Sequence, residues 1–238
     1  MKKPGKRVLL FIGAFLVVLL GFGLFSNLPL LAMDPVKTGE IPNTDIYAVK
    51  DMMCTVFFIN TGSGYIMIDA GMNPKKMEAA LDKAGIHTNE IKWIFLTHSD
   101  GDHVGTLPLF SNAVIYMSED ELALINGTVK RSASGGNTMP PGIDINAIVL
   151  LSKGQEMSLN NTKVSCIKAP GHTDGSMLYL IDDKYLFTGD AFKIKKGIIS
   201  VHPFTKDKEL SMKTIEQHRE TVRSSVVFTA HYGYWEKL

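Results

Sequence analysis

The stretch Thr97-His98-Ser99-Asp100-Gly101-Asp102-His103 decides how this chain is read. Two imidazoles and two carboxylates fall within six residues, directly after the apolar run Ile91-Lys92-Trp93-Ile94-Phe95-Leu96. A strand that ends in such a cluster gathers its donors at one sheet edge. A divalent cation needs that arrangement, because several N and O ligands must replace its hydration shell. Taken alone, the run also reads as a polar turn after a buried strand, since Ser, Asp and Gly all favour turns.

The rest of the chain repeats the pattern. Pro170-Gly171-His172-Thr173 follows the β-rich run Val164 to Ile167, Thr188-Gly189-Asp190 follows Tyr185 to Phe187, and Thr229-Ala230-His231-Tyr232 follows Val226 to Phe228. Upstream, Tyr65-Ile66-Met67-Ile68 ends in Asp69-Ala70-Gly71. Of seven histidines, His98, His103, His172 and His231 stand at strand ends, which chance placement does not explain.

This ordered set resembles the metallo-β-lactamase superfamily. Its pattern is an HxHxDH motif, a later His in a PGHT-type turn, an Asp in a GD turn and a last His near the C-terminus. The resemblance runs from about Ile46 to Gly233. It implies an α/β (α+β) fold, a four-layered αββα sandwich with a metal site at one edge. It also implies two divalent ions, zinc first, with His98, Asp100 and His172 on one, Asp102, His103 and His231 on the other, and Asp190 bridging. Asp102 and Asp190 would be catalytic, and Asp69 would orient a ligating imidazole. The implied chemistry is hydrolysis of an ester, thioester, lactone or amide carbonyl by metal-bound hydroxide.

One position departs from the pattern: Asp100 stands where the family has the second His of HxHxDH. A third carboxylate makes the centre less positive and is a harder donor, which shifts preference toward iron or manganese. That motivates an alternative, an iron-dependent oxidoreductase on the same scaffold; a third reading is a non-catalytic, membrane-tethered metal-binding module. The substrate is a small molecule in the enzymatic readings. His202, Lys193 and Tyr232 are candidates to touch it. For His202 and Lys193 the alternative is a structural or solvated loop or strand-end residue, and for Tyr232 it is simple packing. Of the remaining histidines, His87 is expected in solvent and His218 on the polar side of the last helix.

Composition supports one globular domain: 238 residues, 45% hydrophobic, net charge +1. So small a net charge, without a basic stripe, argues against a nucleic-acid partner. The N-terminus meets a different solvent. Lys2, Lys3, Lys6 and Arg7 precede an unbroken apolar run from Val8 to Phe25. Eighteen helical residues span roughly 27 Å, close to the hydrocarbon thickness of a bilayer. Residues 1–25 are therefore expected to be a basic cytoplasmic stub and a single-pass anchor in membrane lipid, with the catalytic domain extracytoplasmic. A signal peptide cleaved near Met33, giving a secreted protein, is the competitor.

Residues 26–44, with Pro29, Pro35 and Pro42, read as a linker, and 45–238 as the catalytic domain. Asn73-Pro74 opens a helix with Met77, Ala80, Leu81 and Ala84 on one face and Gly85 closing it. Val104 to Leu109 is expected to begin a helix, Asn126 to Gly142 to be a mobile surface loop, and Lys206 to Ser224 to form one helix with Met212, Ile215 and Val222 inward. Cys54 and Cys166 sit in strand-like runs outside any CxxC pair, so they read as packed thiols, with a disulfide as the other possibility.

Overall fold

Residues 46–68 build a meander because apolar side chains alternate between two covered faces. In the computed structural model, which describes residues 30–131 and 137–236, β2 (Ile46–Asp51), β3 (Cys54–Asn60) and β4 (Tyr65–Ile68) pair antiparallel in succession. On β3, Phe57 and Ile59 point into one core while Val56 and Phe58 point into another. A strand buried on both faces needs such a continuous apolar run. Residues 1–29, and with them the basic flank and apolar run expected as an anchor, lie outside the described residues. Among the described residues, no helix is long and apolar enough to cross a membrane.

The chain divides into units Met1–Met33 and Asp34–Leu238, and every element below belongs to the second. Beyond β4, the chain continues through β5 (Ile91–Phe95), β6 (Val114–Ser118) and β7 (Val149–Leu151), each added in parallel. With β1 (Gly39–Glu40) on the far edge, they make a seven-stranded sheet. A second sheet of six strands has the order β15-β14-β11-β10-β9-β8. Its members are β8 (Glu156–Leu159), β9 (Thr162–Lys168), β10 (Met177–Ile181), β11 (Tyr185–Phe187), β14 (Val226–Phe228) and β15 (Tyr234–Trp235). A separate hairpin pairs β12 (Lys193–Lys195) with β13 (Ile198–Ser200).

The two sheets share one core, in which Phe57, Ile66, Ile68 and Phe95 meet Tyr179, Phe187 and Phe228. Phe57 lies 5.3 Å and 5.2 Å, centroid to centroid, from Phe187 and Phe228. The outer face of the first sheet packs on α1 (Pro74–Ala84) through Met77 and Leu81. Helix α1 starts and stops as its residues dictate: the Asn73 side chain accepts from Lys76 N–H, and Gly85 takes the left-handed conformation at φ 70°. The outer face of the second sheet is covered through Val222 and Ile215.

Several expectations are corrected. Residues 34–44 are no linker: Glu40 pairs with Tyr47, Ile41 enters the shared core, and Asp34 N–H donates to the His231 carbonyl. Helix α2 spans Gly101–Val104, earlier than expected, because His103 N–H already closes on the Asp100 carbonyl. It ends at once, where Gly105 packs against Gly71 and Met72 with no room for a side chain. A 3-10 turn at Leu107–Leu109 replaces its continuation. The last helical stretch is two helices, α4 (Lys208–Gln217) and α5 (Arg219–Ser224), after α3 (Glu119–Ile125). His218 breaks it at φ −103°, ψ 13°, its ring held 3.2 Å from the Lys168 carbonyl rather than turned to solvent. Helix α4 buries Ser211 and Thr214 and leaves Met212 exposed. Gly171 lies so close to Ser211 that a larger residue would not fit between helix and turn. Cys54 and Cys166 are both free and buried.

Candidate metal centre

Parallel strand ends place the donors. β4 and β5 run parallel, so Asp69 and the Thr97–His103 turn emerge at the same edge. β11 and β14 run parallel in the other sheet, so Asp190 and His231 emerge together as well. Gly189 makes the second turn possible: its φ is +50°, and a Cβ there would collide with the Thr97 hydroxyl.

Asp190, 4% exposed, is the centre of the arrangement. Its Oδ1 lies 3.1 Å from His231 Nε2 and 3.6 Å from His103 Nε2. Its Oδ2 lies 3.5 Å from His172 Nε2 and 3.7 Å from His202 Nε2. Asp102 Oδ2 adds a donor on the Oδ1 side, 3.5 Å from His231 Nε2 and 3.8 Å from His103 Nε2. Asp100 Oδ2 stands 3.4 Å from His98 Nε2 and 3.3 Å from His172 Nε2. Four sets of three donors lie close enough to share an ion: His98, His103 and Asp190; His98, Asp100 and His172; Asp102, His103 and His231; His172, Asp190 and His202.

The imidazoles are aimed from behind. His103 Nδ1 is 2.9 Å from Asp69 Oδ2, His98 Nδ1 is 3.0 Å from the Thr97 hydroxyl, and His231 Nδ1 meets the Met53 carbonyl. Each leaves Nε2 pointing inward. Asp69 Oδ1 also accepts the Thr97 backbone N–H at 2.8 Å. Among the described residues, His98 Nε2, His103 Nε2 and both His202 nitrogens are buried without a hydrogen-bond partner. Buried polar atoms are rarely left so, and a divalent cation is the group that this donor set would accept. The residues present therefore fit a metal.

Protonation follows from burial and charge. Burial pushes His98 and His202 down to about 4, and holds His172 well below its usual range. Neutral imidazoles are what a metal requires. Burial also opposes charging His103, but Asp69, Asp102 and Asp190 outweigh it and lift it to about 10. Burial opposes ionisation of Asp190 too, yet the imidazoles, His231 foremost, hold its carboxyl well below the usual carboxylate range.

The other expected contacts divide. His202 is not a solvated loop residue but 1% exposed and inside the cluster. Tyr232 is 5% exposed, its hydroxyl without a partner among the described residues and pushed up to about 12 by burial and then by Asp190. Lys193 lies on β12, half-buried, and no ion pair joins it to the cluster among the described residues. His87 is exposed, as expected.

Three contributors escaped the sequence reading. Glu121 on α3 is fully buried and accepts from Ser99 Oγ at 2.8 Å and from the Thr173 hydroxyl, tying the turn of His98 to the turn of His172. Its sequence signal was only that of an acidic helix start. Arg131 and Asn137 come from the segment expected as a mobile surface loop. The Arg131 guanidinium pairs with Asp100 Oδ2 and donates to His172 Nε2 at 2.8 Å. Asn137 Nδ2 donates to Asp100 Oδ1 at 2.8 Å and to Ser99 Oγ at 2.9 Å. Met139 and Ile143 pack against the outer core, so the flanks of this segment are built into the fold.

The family model described as the metallo-beta-lactamase superfamily matches residues 49–231. A probable polyketide biosynthesis zinc-dependent hydrolase of Bacillus subtilis is 30% identical over 128 residues, covering 52% of this chain and 48% of that protein. A hydroxyacylglutathione hydrolase of Methylococcus capsulatus is 31% identical over 137 residues, covering 57% and 46%. The chain thus spans about half the length of these curated relatives. A Cronobacter sakazakii metallo-beta-lactamase with a HARLDQ motif superposes with a TM-score of 0.62 at 18% identity, covering 86% of this chain and 81% of that one. At that identity the likeness is one of fold.

Proposed function

The chain belongs to the metallo-beta-lactamase superfamily, and we propose that it is a metal-dependent hydrolase that attacks an ester, thioester, lactone or amide carbonyl of a small molecule. The observation that carries this reading is Asp190, a buried carboxylate with two imidazoles beside each of its oxygens. Zinc is the first choice of ion, since a relative is named zinc-dependent; iron or manganese would be favoured only by an Asp100 that ligates. Two bound ions would supply an acidified water and polarise the carbonyl.

The protein's own groups do the rest. Asp190 would help hold both ions, together with His172 for one and Asp102, His103 and His231 for the other. His98, whose Nε2 is buried without a hydrogen-bond partner among the described residues, completes the first set. Asp102 is the most open carboxylate of the cluster, its side chain 33% exposed against 5% for Asp190. It can therefore accept the proton of the attacking water and return it to the leaving group. Tyr232, with no partner for its hydroxyl among the described residues, is a candidate donor to the substrate oxygen.

The test is hydrolysis of a panel of esters, thioesters, lactones and amides by protein stripped with chelator and reloaded with zinc, iron or manganese. Hydrolysis of at least one class, abolished by stripping and restored by reloading, is expected. Oxygen consumption by the iron form without hydrolysis of any class would favour the oxidoreductase motivated by Asp100.

Residues 1–25 anchor the protein in the membrane on the same reading, with the metal domain outside. Support comes from Lys2, Lys3, Lys6 and Arg7 ahead of the apolar run Val8 to Phe25. Protease added to intact cells is expected to remove the domain from the membrane fraction. A mature N-terminus near Met33 would show cleavage instead.

A further inference from the structure

Asp190 presents two arms, and the sequence pattern accounts for all but one of the four imidazoles beside them. Its Oδ1 is flanked by His231 and His103, both expected ligands. Its Oδ2 is flanked by His172 and by His202, a residue outside the HxHxDH, PGHT, GD and C-terminal His motifs. His202 is 1% exposed, and among the described residues neither of its ring nitrogens has a hydrogen-bond partner. A buried polar group left without a partner is costly, so such atoms are rare in folded proteins. Its described neighbours are rings: it packs on His172, His231, Tyr232 and Phe204 at ring separations of 5.1 to 5.8 Å.

Asp100 is in the opposite condition. Both of its oxygens are taken, Oδ1 by Asn137 Nδ2 and Oδ2 by the Arg131 guanidinium. Arg131 also donates to the Phe204 carbonyl at 3.2 Å, which fastens it to the loop that carries His202. An arginine in contact with a carboxylate is a strongly held partner. A cation binding Asp100 would have to displace it and leave a half-buried guanidinium without its counter-charge.

We propose that His202 is a metal ligand of this centre, joining His172 and Asp190 Oδ2, and that Asp100 is held out of coordination by Arg131 and Asn137. The proposal rests on the metallohydrolase reading only in requiring that the centre bind metal. His172, His202 and Asp190 supply three protein donors within reach of one another, the number a catalytic zinc takes while keeping a position open. Arg131 gives up its single contact with His172 Nε2 when that imidazole binds and keeps Asp100. The negative charge of Asp100 is cancelled by Arg131, so the centre regains the charge that the extra carboxylate would have removed.

The experiment uses the full chain in detergent, loaded with zinc and dialysed. Elemental analysis is expected to fall from about two zinc ions per chain to about one in His202→Ala, and to stay at about two in Asp100→Asn. A zinc-edge anomalous map of the wild-type crystal, which needs no variant to fold, should place one ion about 2.0–2.1 Å from a His202 ring nitrogen. Two ions both remote from His202, or one bound by Asp100, would overturn the assignment, as would two ions retained in His202→Ala. A chain that takes up no zinc, iron or manganese would defeat the metallohydrolase reading itself, a different result from ions placed elsewhere.

Discussion

Asp69 governs one of the imidazoles of the centre from behind. Its Oδ2 fixes His103 Nδ1, its Oδ1 accepts the Thr97 N–H, and the backbone takes φ +59° to bring the carboxylate round. Removing such a partner typically weakens metal binding 10–100-fold. Asp69→Ala should therefore lose about that factor in zinc affinity, measured by competition with a chromophoric chelator; unchanged affinity would show that His103 aims itself. Asp69 was legible in the sequence because it ends an apolar run before Ala70-Gly71, as the ligands end theirs. Glu121, Arg131 and Asn137 were not legible. Each meets the centre across tertiary distance, and neither an acidic helix start nor a Gly- and Ser-rich stretch announces a buried contact.

At the scale of elements, turns set the geometry more tightly than strands do. The strand runs were legible from alternation and apolar content, and α1 from its Asn73 and Gly85 ends. Helix α2 and the break at His218 were not, because close backbone approaches at Gly105 and the Lys168 carbonyl decide them. Gly189 is the sharpest case. A side chain there meets Thr97 and must adopt a positive φ, a strain of order 1–3 kcal/mol before any collision is counted. Gly189→Ala should lower the melting temperature by several degrees and weaken zinc binding together, because the same turn carries Asp190. A variant that melts like wild type and binds zinc equally well would show that the turn has room to yield.

The whole molecule carries a pH signature that belongs to the metal-free state. His98 and His202 titrate near 4 in the fold against about 6.5 unfolded, so the unfolded chain binds more protons between those values. The stability they contribute is complete above about pH 6.5 and falls as pH drops toward 4, by about 1.4 kcal/mol per pH unit for each fully coupled proton. His103 works the other way. Raised to about 10, it contributes stability that is complete below about 6.5 and lost as pH rises through 10. The stripped protein should thus be most stable near pH 6.5, seen as a maximum in melting temperature across a pH series. A monotonic rise toward pH 9 would contradict this balance. The architecture as a whole was legible from the order of five strand-end motifs; the hold on Asp100 and the burial of His202 needed the fold.

Asp190 is the residue the whole centre depends on, because one carboxylate serves both of its sides. The most direct measurement is metal content per chain, by elemental analysis, of zinc-loaded wild type and Asp190→Ala, each shown folded by circular dichroism. The prediction is about two zinc ions in the wild type and at most about one in the variant, with hydrolysis of the eventual substrate lost by a factor of at least about a thousand. A folded Asp190→Ala that keeps both ions and turns over substrate like the wild type would contradict it.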